Sequence, residues 1–196
     1  MLKGILETFI CGEIAKHHKR QNEIYVTDLF RCWKKAQFEN VYHETTKQPN
    51  VLIGILLHKA LEEIFQQYLP NNEEIRIEPY VEKKIYINSH YFVYLTGRPD
   101  ILTPDSVIEI KYSRNKDPVQ ESHKYQVSIY MLLTKRQKGT IFYITPDTIK
   151  EYVVLGSMTE AELQKMVKEY VENKPTPKYG WECAYCPYKE KCKERK

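Results

Sequence analysis

The sequence contains no apolar run approaching the ~20 residues of a membrane span. Its N-terminus also lacks the basic region, apolar block and small-residue cleavage site of a secretory signal. Both absences lead us to expect a cytoplasmic chain with no membrane partner. No glycine-rich loop of the GxxxxGK type is present, which excludes a P-loop motor. There is no internal repeat or low-complexity segment either. The five cysteines are an odd count, which argues against a disulfide framework in an intracellular chain.

What is present describes one well-filled domain with a small appendage. The 196 residues are 42% hydrophobic and 29% charged, and we place the division between residues 1–175 and a cysteine-bearing segment 176–196. The net charge of +4 and a pI near 8.6 are compatible with a polyanionic partner. Most Lys and Arg alternate with Glu, however, as on any solvated surface. The 16 tyrosines add a second indication, because aromatic rings near basic residues can stack on unpaired bases.

The periodicity predicts alternating helices and strands. Leu2, Ile5, Leu6, Phe9, Ile10 and Ile14 recur at helical spacing, with Cys11 off the apolar stripe as a spare thiol. A helix capped by Thr27 is expected to carry Arg31, Cys32 and Trp33. Residues 51–69 form the clearest helix, ended by Pro70 and Asn71-Asn72, with His58 on its apolar face and Gly54 one turn earlier. His58 is either a core histidine or a metal ligand, and Gly54 would let the helix approach a sheet closely. Residues 75–87 read as one or two strands, 140–145 and 151–155 as two more, and 119–136 and 159–173 as helices. Thr159 and Glu162 are spaced as a capping box. Gln126 and Tyr130 lie at i and i+4 within an otherwise apolar stripe, either at a watered helix edge or in contact with substrate.

The chemistry concentrates in residues 97–112, GRPDILTPDSVIEIKY. Residues 95–102 and 106–112 are expected to pair as a hairpin through a Thr103-Pro104-Asp105 turn, which would bring Asp100 beside Glu109. Two carboxylates converging on one point repel unless a hard cation lies between them, and oxygen ligands suit Mg²⁺ or Mn²⁺. Side chains alternate along a strand, so Glu109 and Lys111 share a face and Ile110 offers its carbonyl. Lys111 could then orient a water or stabilise charge on a phosphate. A surface ion pair on an exposed hairpin is the bland alternative.

Cys183, Cys186 and Cys192 follow a C-x2-C-x5-C spacing, and Cys32 is the available fourth thiolate. Together they would staple the chain ends. Zinc and an iron-sulphur cluster both suit four thiolates; one distant cysteine plus a clustered triplet favours iron-sulphur.

In this order, Cys32, Gly54 and His58, Asp100 in GRPD, Glu109-Ile110-Lys111, Gln126 and Tyr130, and the final cysteines resemble the RecB-like nucleases of the PD-(D/E)XK superfamily. The small size and bracketing cysteines are most similar to the CRISPR-associated Cas-four exonucleases. The resemblance covers Cys32 to Cys192. It implies an α/β fold of the restriction-endonuclease type, with a central mixed sheet flanked by helices. By the same resemblance His58, Asp100, Glu109 and the Ile110 carbonyl hold Mn²⁺ or Mg²⁺, with Asp100, Glu109 and Lys111 as catalytic residues. Gln126 and Tyr130 would line the DNA path, and Cys32, Cys183, Cys186 and Cys192 would hold an iron-sulphur cluster, 4Fe-4S rather than 2Fe-2S. The implied activity is 5′-to-3′ cleavage of single-stranded DNA ends, with endonuclease activity as a further expectation, in the service of CRISPR integrase proteins that capture spacers. A repair or viral nuclease of the same superfamily, or a zinc-stapled nucleic-acid-binding assembly module without activity, are the alternatives.

Overall fold

A computed structural model describes residues 4–5, 8–9, 12, 19–42, 49–68, 75–114 and 120–196. Cys11, most of the expected opening helix, the turn at Pro70 to Asn72 and Val119 lie outside the described residues. In chain order the elements are β1 (Glu23–Tyr25), a 3-10 turn (Val26–Phe30), α1 (Trp33–Tyr42), α2 (Pro49–Tyr68), β2 (Arg76–Ile77), β3 (Val81–Tyr86) and β4 (Phe92–Gly97). They continue with β5 (Ile101–Leu102), β6 (Ser106–Tyr112), α3 (Glu121–Thr134), β7 (Lys138–Ile144), β8 (Ile149–Leu155), α4 (Glu160–Asn173) and a second 3-10 turn (Glu182–Tyr185).

The strands form two sheets, β1-β4-β3 and β2-β5-β6-β7-β8. The larger is mixed: β6 and β7 run parallel, with Glu109 opposite Ile141 and Lys111 opposite Tyr143, while β5 pairs antiparallel with β6. The strand expected over 95–102 is therefore two strands in two sheets. Pro99 has no N–H for a ladder, and the chain leaves the first sheet at Gly97 and enters the second at Ile101. Asp100 is delivered at that crossing, one residue before the register Ile101 to Ile108 begins.

Apolar side chains from both sheets and from α3 and α4 form one core, including Leu95, Val107, Val127, Met131, Ile141 and Tyr143. Close approach of α3 to β7 depends on Gly139, where an added Cβ would lie 2.2 Å from Val127 Cγ1 and 2.9 Å from Met131 Sδ. In α4, Leu163, Val167 and Tyr170 are buried at i, i+4 and i+7; Leu163 and Val167 each contribute roughly 1.5–3 kcal/mol, while the buried Tyr170 hydroxyl has no hydrogen-bond partner. Its capping box is formed as expected, with Thr159 Oγ1 accepting from Glu162 N–H at 3.2 Å and Glu162 Oε2 accepting from Thr159 N–H at 2.8 Å.

The N-terminal turn corrects the expected Thr27-capped helix. Asp28 is the anchoring residue: it accepts the Tyr25 N–H at 2.8 Å and pairs with Lys19 and Arg31 at 2.5 Å each. Arg31 is then extended, at φ −141° and ψ 169°, and α1 starts only at Trp33. Cys32 thus sits in the break between turn and helix, where its backbone N–H is free to bond elsewhere.

Candidate active site and cysteine pocket

The β5–β6 hairpin does what its sequence requires of it. Asp100 Oδ2 accepts the Ile110 N–H at 2.5 Å, and Oδ1 lies 3.3 Å from His58 Nδ1 on α2. Glu109 follows on β6 with 3% exposure, which removes the surface-ion-pair alternative. Its Oε1 accepts from Lys111 Nζ and from Gln126 Nε2, both at 2.6 Å. Its Oε2 is buried with no hydrogen-bond partner. Burial, reinforced by the Asp100 charge, pushes the Glu109 carboxyl up to about 7. Lys111 is held above its ordinary value although burial works against it, because Glu109 and Asp100 favour the ammonium. At His58 the pull of burial toward a lower value is likewise outweighed by Asp100.

A buried carboxylate oxygen without a donor is costly unless something positive occupies the space beside it. The surrounding donors fit a divalent cation. One ligand atom each from His58, Glu62 and Asp100 lies within 4.8 Å of the others, and a hard oxygen-rich set with one imidazole suits Mg²⁺ or Mn²⁺. Glu62 was absent from the sequence-derived set. It stands one turn after His58 on α2, 7% exposed, and is fixed by Lys59 at 2.9 Å, which also bonds Glu78 at 2.9 Å. Glu109 stands outside that compact trio while its unpartnered oxygen remains available.

Gln126 and Tyr130 are 4% and 2% exposed, so neither sits at a watered helix edge. Gln126 fixes Glu109, and burial pushes the Tyr130 hydroxyl well above its ordinary value against the opposing pull of Gln126 and the Arg98 backbone. Gly97 makes room for that tyrosine: a Cβ there would fall 2.6 Å from Tyr130 Cε1 and 2.8 Å from its hydroxyl. The expected role of Gly54 is not observed, since an added Cβ at that position meets nothing within 4 Å. The glycine that matters to the site lies on the strand.

At the other end of the fold, Cys32, Cys183, Cys186 and Cys192 are free thiols lining one pocket. Burial raises the Cys32 and Cys186 thiols. The pocket is assembled by protein contacts. Glu182, 9% exposed, accepts the Cys32 N–H at 2.8 Å through Oε1, and the Lys178 and Tyr179 N–H groups at 2.7 and 2.8 Å through Oε2. Trp33 N–H donates to the Pro175 carbonyl at 2.8 Å, and Tyr188, 1% exposed, packs 5.5 Å from Phe38 of α1. The four thiols share this lining without disulfides, although their sulphurs are not drawn within 4.8 Å of one another as the His58, Glu62 and Asp100 ligand atoms are.

A model of the PD-(D/E)XK nuclease superfamily matches residues 15–193. Over 191 residues, 92% of either chain, the sequence is 35% identical to the CRISPR-associated exonuclease Cas4 of Saccharolobus solfataricus (strain ATCC 35092 / DSM 1617 / JCM 11322 / P2). The chain belongs to the Cas4 exonuclease family of that superfamily.

Solved structures agree with this placement. The crystal structure of SSO0001 is similar over 100% of this chain and 98% of its own, with 30% identity and a TM-score of 0.86. An alkaline exonuclease, LHK-Exo from Laribacter hongkongensis, shares the fold at 8% identity and TM-score 0.52, over 77% of this chain and 85% of its own. For a Cas4-family chain, the residues that sequence reasoning missed are those acting through contacts. Glu62 carried one usable signal, its i+4 spacing from His58 on a common helix face. Glu182 carried none, since nothing local distinguishes it from neighbouring surface glutamates. Among the described residues no helix is long and apolar enough to cross a membrane.

Proposed function

We propose that the protein is a metal-dependent exonuclease that trims single-stranded DNA ends, with 5′-to-3′ polarity, and that a 4Fe-4S cluster secures its tail. The observation that carries the nuclease reading is the His58, Glu62 and Asp100 trio together with the buried, unpartnered Oε2 of Glu109, a carboxyl raised by burial and the Asp100 charge. His58, Glu62, Asp100, Glu109 and the Ile110 carbonyl are the groups offered to Mn²⁺ or Mg²⁺. When bound, such an ion supplies Lewis-acid polarisation of the scissile phosphate and a water acidic enough to attack it. Asp100 is held in position by its bond to Ile110 N–H, and Glu109 by Gln126. Lys111, 2.6 Å from Glu109, keeps its ammonium at the site, where it stabilises negative charge developing on the phosphate. Gln126 thus acts first by positioning the carboxylate, with Tyr130 buried one turn further along α3.

In the same reading Cys32, Cys183, Cys186 and Cys192 hold the cluster, which supplies structural cross-linking between the two ends of the chain. The biological setting is the trimming of DNA fragments for capture by CRISPR integrase proteins, supported by the identity to the Saccharolobus relative. The test uses protein purified without oxygen and single-stranded DNA labelled at either end, with Mn²⁺, Mg²⁺ or chelator. Metal-dependent loss of nucleotides from the 5′ end is expected. Asp100→Asn and Glu109→Gln should abolish it with the fold intact, and Lys111→Ala should abolish it while leaving Mn²⁺ binding in place. Cleavage at the wild-type rate by either carboxylate variant would refute the site assignment.

A further inference from the structure

A run of aromatic rings crosses the surface between α3, which carries Gln126, and the cysteine-rich tail. At the α3 end Tyr125, 46% exposed, stacks on Phe30 with ring centres 6.5 Å apart and planes within 10°. Lys178 Nζ lies 5.8 Å from the centre of the same Phe30 ring and donates to the Leu29 carbonyl. The next residue, Tyr179, stacks on Trp181 at 5.9 Å with planes within 4°. Trp181 is 62% exposed and Tyr185, one turn further, 68%. Phe30 rests partly against the core, while Tyr125, Tyr179 and Trp181 leave much apolar ring surface in water.

Charge follows the same path. Residues 174–196 contain seven basic and three acidic side chains, a formal +4 equal to the excess of the entire chain. One of the three acids, Glu182, is buried on backbone N–H groups. The tail is therefore where a phosphate backbone would be attracted, and beside it the exposed Trp181 and Tyr185 rings offer surfaces on which bases can stack.

We infer that Tyr125, Phe30, Lys178, Tyr179, Trp181 and Tyr185 form a track for an unpaired DNA strand, along which the strand is held while its end is at the nuclease site. The inference rests on the nuclease reading for its direction, and it assigns the tail a substrate-binding role in addition to its role as a staple. A duplex hides its base faces and gains only the charge, so the track discriminates for single strands.

The experiment measures anisotropy of a fluorescent oligo-dT, long enough to span site and tail, on full-length cluster-loaded protein in chelator. Trp181→Ala is expected to weaken binding about ten-fold, and Trp181→Phe to recover most of it. Binding to a blunt duplex of equal length should change little. Tyr125→Ala, at the far end of the track, should also weaken oligo-dT binding and keeps the test decisive if Trp181→Ala loosens the tail. Undiminished oligo-dT binding by both alanine variants, as expected if these rings instead dock a protein, would overturn the track. Equal losses on single strand and duplex would overturn it too. Because binding is read without catalysis, a protein that holds the strand but never cuts would sink the nuclease reading alone.

Discussion

Replacing Glu182 by alanine tests whether the tail is held by protein contacts as well as by its thiolates. The carboxylate accepts three backbone N–H groups at 2.7–2.8 Å, one from Cys32 and two from the tail itself. Leaving a buried donor unpaired costs about 1–3 kcal/mol, and the Cys32 N–H is the most enclosed of the three. Lys178 is partly buried and Tyr179 exposed, so water can reach their N–H groups and the three penalties will not sum in full. We expect a loss of about 3 kcal/mol, seen as a fall in Tm of about 6–12 °C for a chain of this size. Glu182→Gln should cost about half as much, because one amide oxygen can still serve Cys32 while its NH₂ is turned toward donors. Glu190→Ala, which breaks only the exposed 3.3 Å pair with Arg195, is the control and should stay within about 0.5 kcal/mol. Urea unfolding of cluster-loaded protein measures all three. If Glu182→Ala is as stable as Glu190→Ala, the proposed anchoring of the tail is wrong.

Three further outcomes are expected. Glu109 is raised to about 7 by burial and Asp100, so its contribution to the stability of metal-free protein is present below the ordinary carboxylate range and lost as pH rises through 7. The stabilisation given by Mn²⁺, which needs the ionised carboxylate, should therefore grow between acidic and mildly alkaline pH, and a thermal shift that ignores pH would count against Glu109 as a ligand. Gly97→Ala forces a Cβ to within 2.6 Å of the Tyr130 ring and should cost about 1–3 kcal/mol together with cleavage rate, measured by melting and single-turnover cutting. Serine at Cys32, Cys183, Cys186 or Cys192 should each bleach an anaerobically purified brown sample, while Cys11→Ser should not; a colourless protein with stoichiometric zinc would replace the cluster by Zn²⁺.

Asp100, Glu109 and Lys111 were legible because a hairpin turn, strand alternation and like-charge repulsion are local rules, and together they leave few arrangements. The gathering of Cys32 with Cys183, Cys186 and Cys192 on one pocket was anticipated by the C-x2-C-x5-C spacing of the last three and the need for a fourth thiol. Glu62 was obscured by its setting in Ala60-Leu61-Glu62-Glu63, which reads as an ordinary solvated helix edge. Its burial is decided by where α2 meets β6, a tertiary fact. Gly54 misled for the same reason: helix–sheet proximity has no local signature, and the clash that demands glycine falls at Gly97 against a residue 33 positions away. The break after Phe30 escaped the pattern because Asp28 anchors the turn through Lys19 and Arg31, while the N–H of Cys32 is claimed by a glutamate 150 positions downstream.

That last separation has a consequence for how the protein is born. A ribosome adding roughly 5–20 residues per second needs on the order of 10–30 s between making Cys32 and making Glu182, which lie 150 positions apart. During that interval the β5–β6 hairpin and its helices are already free to fold, whereas the first thiol has none of its partners. If the four cysteines form one site, as proposed, that site cannot close until Cys192 is made, by which point Asp100, Glu109 and Lys111 have long been in place.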